Sequence, residues 1–206
     1  MIRTSSAGDE SEALKLGAQL AKLAIETRQI YSDLMYRSEF DPLTDVHNRF
    51  SLDQHLDRLI EEVRDKAGVF GLIYIDFDGF KQINDLYGHH VGDLYLQDAA
   101  LRMKRQLRAG DMLARFGGDE FVALLPTVGS RVDVEEAALR LEHCFDDPFV
   151  AEGFFLRGSA SVGIALYPAN GLTKDEILTS ADYAMYVAKH GRCQPGTDVP
   201  LVTKTG

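Results

Sequence analysis

Between residues 10 and 38, Leu16, Leu20, Leu23, Thr27, Ile30 and Leu34 follow one another at alternating four- and three-residue steps. That spacing is the a/d seam of a heptad repeat, interrupted by one polar threonine. The stretch has no proline and only Gly17 as a glycine, so it predicts a helix roughly 40 Å long at ~1.5 Å per residue. Such a seam either packs on the domain that follows or pairs with a second copy. Its narrowness, and its flanks of Lys15, Lys22, Glu26 and Arg28, favour pairing as a coiled coil. Residues 1–9, small and polar, are expected to be disordered.

Asp41-Pro42 breaks that helix. Ser51 with Gln54 then reads as a capping box opening a helix over 52–66. Val69 to Ile75 is an apolar run without a polar face, as expected of a central strand covered on both sides. Leu94 to Leu107 recurs at helical spacing. Leu113 to Phe116 and Phe121 to Leu125 read as short strands joined by a hairpin at Gly117-Gly118-Asp119-Glu120. A helix over 133–145, a strand over Ser159 to Leu166 and a helix from the Thr173/Glu176 capping box to about His190 complete the series. Helices interrupt the strands without a regular βαβ repeat. The fold class is therefore α/β of the α+β kind: one central mixed sheet with packed helices, a ferredoxin-like palm preceded by a long helix. The domain is placed at 39–192, after the 10–38 helix, with an irregular tail over 193–206.

At 206 residues there is room for one well-packed domain and an accessory segment. A formal net charge of -10 argues against long contacts with nucleic acid or an anionic membrane. It does not exclude a small charged nucleotide, because metal ions mediate that contact locally. Cys144 and Cys193 lack metal-ligand spacing and read as free thiols of a reducing, cytoplasmic compartment. No apolar run approaches about 18 residues and no basic-then-apolar start is present, so neither a membrane span nor a signal peptide is expected.

Asp76 and Asp78 close the most hydrophobic strand, where acidic residues also serve as plain strand ends. Asp119 and Glu120 follow two glycines that permit close approach. If the hairpin sets Asp119 beside Asp76, the pair repels unless a cation intervenes, and oxygen-rich, histidine-free surroundings suit Mg²⁺ or Mn²⁺. Lys81 lies just past the strand, where helix-start amides can hold phosphate. Asn84 and Asp93 suit the reading of a purine edge or the capping of helices. Lys189 and Arg192 end the last helix, where its dipole alone would favour them. His47, His55, His89, His90 and His143 form no metal-ligand pattern.

Here a resemblance becomes specific. Gly117-Gly118-Asp119-Glu120-Phe121 reproduces the signature of the GGDEF domain family, and the chain resembles that family over about 40–192. Asp41-Pro42-Leu43-Thr44 with Asn48-Arg49 is similar to its opening motif. Asp76-Phe77-Asp78-Gly79-Phe80-Lys81, Asn84-Asp85, Gly88-His89 and Gly92-Asp93 resemble its nucleotide-binding stretch. Ser161 to Ala165, Ala181-Asp182 and Tyr186 to Lys189 resemble its closing motifs.

The resemblance implies a diguanylate cyclase that condenses two GTP into cyclic di-GMP and releases two pyrophosphates between facing subunits of a homodimer. It implies two divalent ions per GTP site, Mg²⁺ or Mn²⁺, held by Asp76, the Phe77 carbonyl and Asp119, with Glu120 assisting at the catalytic centre. Lys81, Lys189 and Arg192 would contact the triphosphate together with backbone amides around Phe77, Phe80 and Lys81. Asn84 and Asp93 would read guanine; relatives making mixed GMP-AMP products carry Ser where Asp93 stands. Arg108 and Asp111, as an RxxD pair, with Arg115, would bind the product as a feedback inhibitor. Plain chemistry reads Arg108 and Asp111 as a helix-end ion pair instead. A module that only binds GTP or cyclic di-GMP as a receptor is the alternative. Two departures stand out: Asp45-Val46-His47 replaces the usual opening triplet, and a single residue, His190, separates Lys189 from Gly191-Arg192. The second leaves Arg192 the least secure phosphate contact.

Overall fold

A computed structural model describes residues 6–66, 68–192 and 203–204. The chain divides into two compact units at Ser38/Glu39. The first holds helix α1, Ser6–Glu39, all but its last residue. Leu16, Leu20, Leu23, Ile30 and Leu34 are each more than half exposed along it. The helix begins at Ser6, so the expected disorder of residues 1–9 does not hold for 6–9, while 1–5 lie outside the described residues. Helix propagation is cooperative, and the Ala, Glu, Leu and Lys residues that follow carry the backbone N-terminally past the point where composition suggested a stop.

The second unit holds a five-stranded sheet in the order β1-β3-β4-β2-β7. Its strands are β1 His47–Asn48, β2 Phe70–Asp78, β3 Met112–Gly117, β4 Glu120–Leu125 and β7 Ser159–Tyr167. β1 runs parallel to β3 and every other pairing is antiparallel, giving the mixed sheet expected. Helices α3 Phe80–Tyr87 and α4 His89–Gln106 lead from β2 to β3, and α5 Arg131–Glu142 leads from β4 toward β7. With α2 Arg49–Arg64 and α6 Lys174–Arg192, this is a βαββαβ core with two added helices. A smaller sheet joins β5 Phe149–Ala151, β6 Phe154–Leu156 and β8 Thr203–Lys204. The tail expected to be irregular thus contributes two residues to a strand, because the open edge of β6 offers unpaired backbone groups. The remainder of the tail, Cys193 included, lies outside the described residues.

β2 is buried on both faces because its alternate residues serve two separate cores. Phe70, Leu72 and Tyr74 pack with Leu52, Leu56 and Ile60 of α2 and with Ile177, Ala181 and Met185 of α6. Ile73, Ile75 and Phe77 pack with Ile83 of α3, Tyr95, Ala99 and Met103 of α4, and Val134 and Leu141 of α5. Burying each large apolar side chain contributes roughly 1.5–3 kcal/mol, so the strand whose end carries Asp76 is among the most firmly held. The capping box expected at Ser51 and Gln54 is not formed. Asn48 caps α2 instead, its side chain accepting from the Ser51 amide at 2.9 Å; Ser51 is buried, with its Oγ 3.0 Å from His47 Nδ1. Thr173 and Glu176 do form the expected box, with Thr173 Oγ1 accepting from the Glu176 amide and Glu176 Oε2 accepting from the Thr173 amide, both at 3.3 Å.

Gly163 of β7 sets how closely α6 lies on the sheet. A Cβ there would stand 2.1 Å from both the Ala181 carbonyl oxygen and the Met185 amide nitrogen. Both are backbone atoms, so the helix would have to lift. Gly163→Ala is expected to cost roughly 3 kcal/mol of stability, as overpacking does, measured by urea unfolding.

Candidate active site

Strand register gathers the predicted acidic residues at one end of the sheet. Asp76 stands opposite Glu120 of β4 on one side and opposite Ser161 of β7 on the other. The Phe77 amide donates to the Asp119 carbonyl at 3.4 Å, which brings the hairpin tip alongside β2. Lys189 reaches down from the last turns of α6, and its Nζ donates to Asp76 Oδ1. Burial pushes the Asp119 carboxyl up, and the charge of Asp76 adds to the rise; its own backbone hydrogen bond, Lys189 and Arg115 oppose this without cancelling it. Glu120 is raised for the same reasons, by burial and by Asp76, Asp119 and Asp182, against a hydrogen bond from Tyr74. Burial works against the Lys189 charge, but the hydrogen bond to Asp76 and the charges of Asp76, Asp78 and Asp119 hold its ammonium above the usual value.

Asp78 is turned elsewhere. The hydroxyls of Ser159 and Ser161 donate to its two carboxylate oxygens at 2.7 and 2.8 Å, which ties the end of β2 to β7. Lys81 is exposed in the first turn of α3, whose N-cap Gly79 supplies no side-chain cap. Asn84 lies on α3 and Asp93 on α4, neither at a helix cap. Gly92 admits Asn84 against α4, since a Cβ there would fall 2.0 Å from its Oδ1. Asn84 is therefore packed next to the turn that carries the exposed Asp93. α6 is helical through Arg192, three residues past Lys189. The shortened closing motif is absorbed into helix; the Arg192 side chain lies outside the described residues.

This geometry and the whole ordered motif set coincide with one family. Residues 38–194 match the family described as "Diguanylate cyclase, GGDEF domain". The chain belongs to the GGDEF family. It is 39% identical over 175 residues to the bifunctional diguanylate cyclase/cyclic di-GMP phosphodiesterase MucR of Pseudomonas aeruginosa, covering 85% of this chain and 25% of MucR. The chain thus spans about a quarter of that relative's length. A structure comprising only the GGDEF domain of PA1120 (TpbB or YfiN) from P. aeruginosa superposes with a TM-score of 0.71 at 37% identity, over 74% of this chain and 89% of that one. The coiled coil and GGDEF domain of DgcB from Caulobacter crescentus, in complex with c-di-GMP, give 0.73 at 26% identity, over 86% and 95%.

Within this GGDEF domain the RxxD pair is a local turn. The Asp111 carboxylate accepts from the Arg108 backbone amide at 2.9 Å, rather than pairing with its guanidinium, which leaves the Arg108 side chain exposed. Arg115 is not brought to that pair. It forms an ion pair with Asp41 at 3.1 Å and donates twice to the Gly118 carbonyl, at 2.9 and 2.8 Å. Asp41 in turn accepts from the Thr44 hydroxyl at 2.7 Å and its amide at 2.9 Å. Burial alone would raise the Asp41 carboxyl, but those Thr44 bonds and Arg115 outweigh it and hold it below the usual range. The opening motif is thereby fastened to the signature hairpin, a link that spacing in the sequence does not reveal. Tyr74 was also missed: its hydroxyl donates to Glu120 Oε2 at 3.3 Å, but in sequence it is one more apolar position of β2.

Among the described residues no three His, Cys, Asp or Glu side chains converge as a ready-made metal cage. Asp76, Asp119 and the Phe77 carbonyl supply oxygen donors only. That set fits Mg²⁺ or Mn²⁺, which take one or two carboxylates and complete their shell with waters and substrate phosphates. The crowding that raises Asp119 is what a cation would relieve. A carboxyl whose pKa is raised on folding opposes folding once pH exceeds its unfolded value, and ceases to do so when pH falls below that value. Asp119→Asn is therefore expected to raise the thermal midpoint at about pH 7 without added metal. The gain should shrink as pH falls into the carboxylate range, measured by paired melts.

Proposed function

We propose that this chain is a diguanylate cyclase that joins two GTP molecules into cyclic di-GMP. The observation that carries the reading is the convergence of Asp76, Asp119 and Glu120 at one sheet end, faced by Lys189, in a member of the GGDEF family. Asp76, Asp119 and the Phe77 carbonyl hold Mg²⁺ or Mn²⁺, two ions per site. Those ions, when bound, lower the pKa of the attacking hydroxyl and offset charge on the phosphates. Lys189 exchanges its carboxylate partner for the triphosphate, and Lys81 with the first amides of α3 grips the same chain of phosphates. Arg192 follows Lys189 on that helix. Asn84 and Asp93, adjacent across α3 and α4, hydrogen-bond the guanine edge.

In each half-reaction the 3′-oxygen of one GTP forms a bond to the α-phosphorus of the other. The bond from that phosphorus to the bridging oxygen breaks, pyrophosphate leaves, and the 3′-hydroxyl proton passes to Glu120 or solvent. Repetition in the opposite sense closes the ring. One chain binds one GTP, so a second copy completes the site. The exposed a/d seam of α1 supplies the contact that keeps two copies close and raises their effective concentration. Arg108 and Asp111 form the feedback site, Arg108 forking onto phosphate or the guanine Hoogsteen edge.

The test is to incubate the purified chain with GTP and Mg²⁺ over a range of protein concentrations and to identify products by mass. Cyclic di-GMP formed at a rate per protein that rises with concentration is expected, and in Arg108→Ala product inhibition should weaken at least tenfold. GTP bound without any product would leave a nucleotide receptor as the reading.

A further inference from the structure

Tyr74 and Glu120 lie on one face of the sheet. Glu120 pairs with Asp76 and Val122 with Tyr74, so the phenol and the carboxylate are diagonal neighbours across β2 and β4, close enough for long side chains to meet. Tyr74 is only 5% exposed, and its hydroxyl donates to Glu120 Oε2 at 3.3 Å. Its ring is held in turn. Phe116 meets it edge-on with centroids 5.5 Å apart, and the Arg49 guanidinium rests 4.2 Å above the other ring of that pair. A cavity of about 310 Å³ opens beside this stack, lined by Arg49, Tyr74, Phe116, Asp175, Thr179 and Asp182 among others.

Glu120 has three side-chain torsions and stands among Asp76, Asp119 and Asp182, all of its own sign. That repulsion and its three torsions leave it several orientations to choose from, and the cavity beside Tyr74 carries Asp175 and Asp182 as well as Arg49. Among the described residues, the side chain that donates a hydrogen bond to it is Tyr74. We propose that Tyr74 is a positioning residue, whose hydrogen bond fixes the Glu120 carboxylate in one orientation beside Asp76. The proposal rests on the cyclase reading, in which Glu120 serves the reaction. Tyr74 itself touches no substrate. Its effect falls on the chemical step and leaves GTP binding, which belongs to Lys81, Asn84, Asp93 and Lys189, unaltered.

Tyr74→Phe keeps the ring and its packing and deletes only the donor. It is expected to lower kcat roughly tenfold, within the range a misplaced catalytic group produces. KM for GTP, and affinity for 3′-deoxy-GTP with Mg²⁺ measured by titration calorimetry, should stay within about twofold of the unmodified chain, since binding precedes the step affected and KM equals Kd where chemistry is slow. Metal-free urea unfolding gives a readout independent of turnover: Tyr74→Phe should cost stability in the unmodified background and none in Glu120→Ala. A wild-type kcat in Tyr74→Phe, or equal stability losses in both backgrounds, would overturn the proposal while leaving the cyclase reading intact. An unmodified chain that binds GTP and makes no cyclic di-GMP would overturn that reading and this proposal with it.

Discussion

Like charge crowded at the end of one buried strand is the constraint on which this domain depends. β2 places Asp76 opposite Glu120 and draws the hairpin tip with Asp119 alongside. Folding by itself does not favour that arrangement, since burial and mutual repulsion push both Asp119 and Glu120 toward protonation. It persists because Phe70, Leu72, Ile73, Ile75 and Phe77 on the same strand are almost wholly buried, and their apolar burial outweighs the electrostatic cost. Strain of this kind, held by a rigid scaffold, is the usual condition of a site built to receive a cation.

The other elements limit how far the cluster can relax. α6 lies flush on β7 because Gly163 has no side chain, and that close seating puts Lys189 within reach of Asp76. Ser159 and Ser161 tie Asp78 to the neighbouring strand. Asp41, Thr44 and Arg115 bind the domain's first turn to the Gly118 carbonyl. Asp41, two residues past the end of α1, is thus coupled, through one guanidinium, to the loop that presents Asp119.

Much of this was legible in the sequence, for identifiable reasons. The continuous apolar run before Asp76 marks a strand buried on both faces, and heptad spacing marks α1, because each is a periodic signal over many residues. The hairpin at Gly117 to Glu120 made a meeting of Asp119 with Asp76 possible, and the family resemblance implied it. What stayed hidden depends on pairing between distant segments. Arg115 reads as a free cation near the RxxD pair until Asp41, 74 positions earlier, is found against it. Tyr74 reads as core until strand register sets its hydroxyl beside Glu120. The Ser51 box failed because Asn48 competes for the same amide and lies at the true start of α2. The shortened closing motif left Arg192 the least secure contact, and the backbone is continuous helix through that residue.

The central claim is that these carboxylates form a nucleotide site only together with a divalent ion. Titration of 3′-deoxy-GTP, which cannot be cyclised, into the chain with Mg²⁺ and then with a chelator tests it most directly. The account predicts one nucleotide per chain with Mg²⁺, binding at least tenfold weaker with the chelator, and no such difference in Asp76→Asn. Equally tight binding with and without Mg²⁺ in the unmodified chain would contradict it.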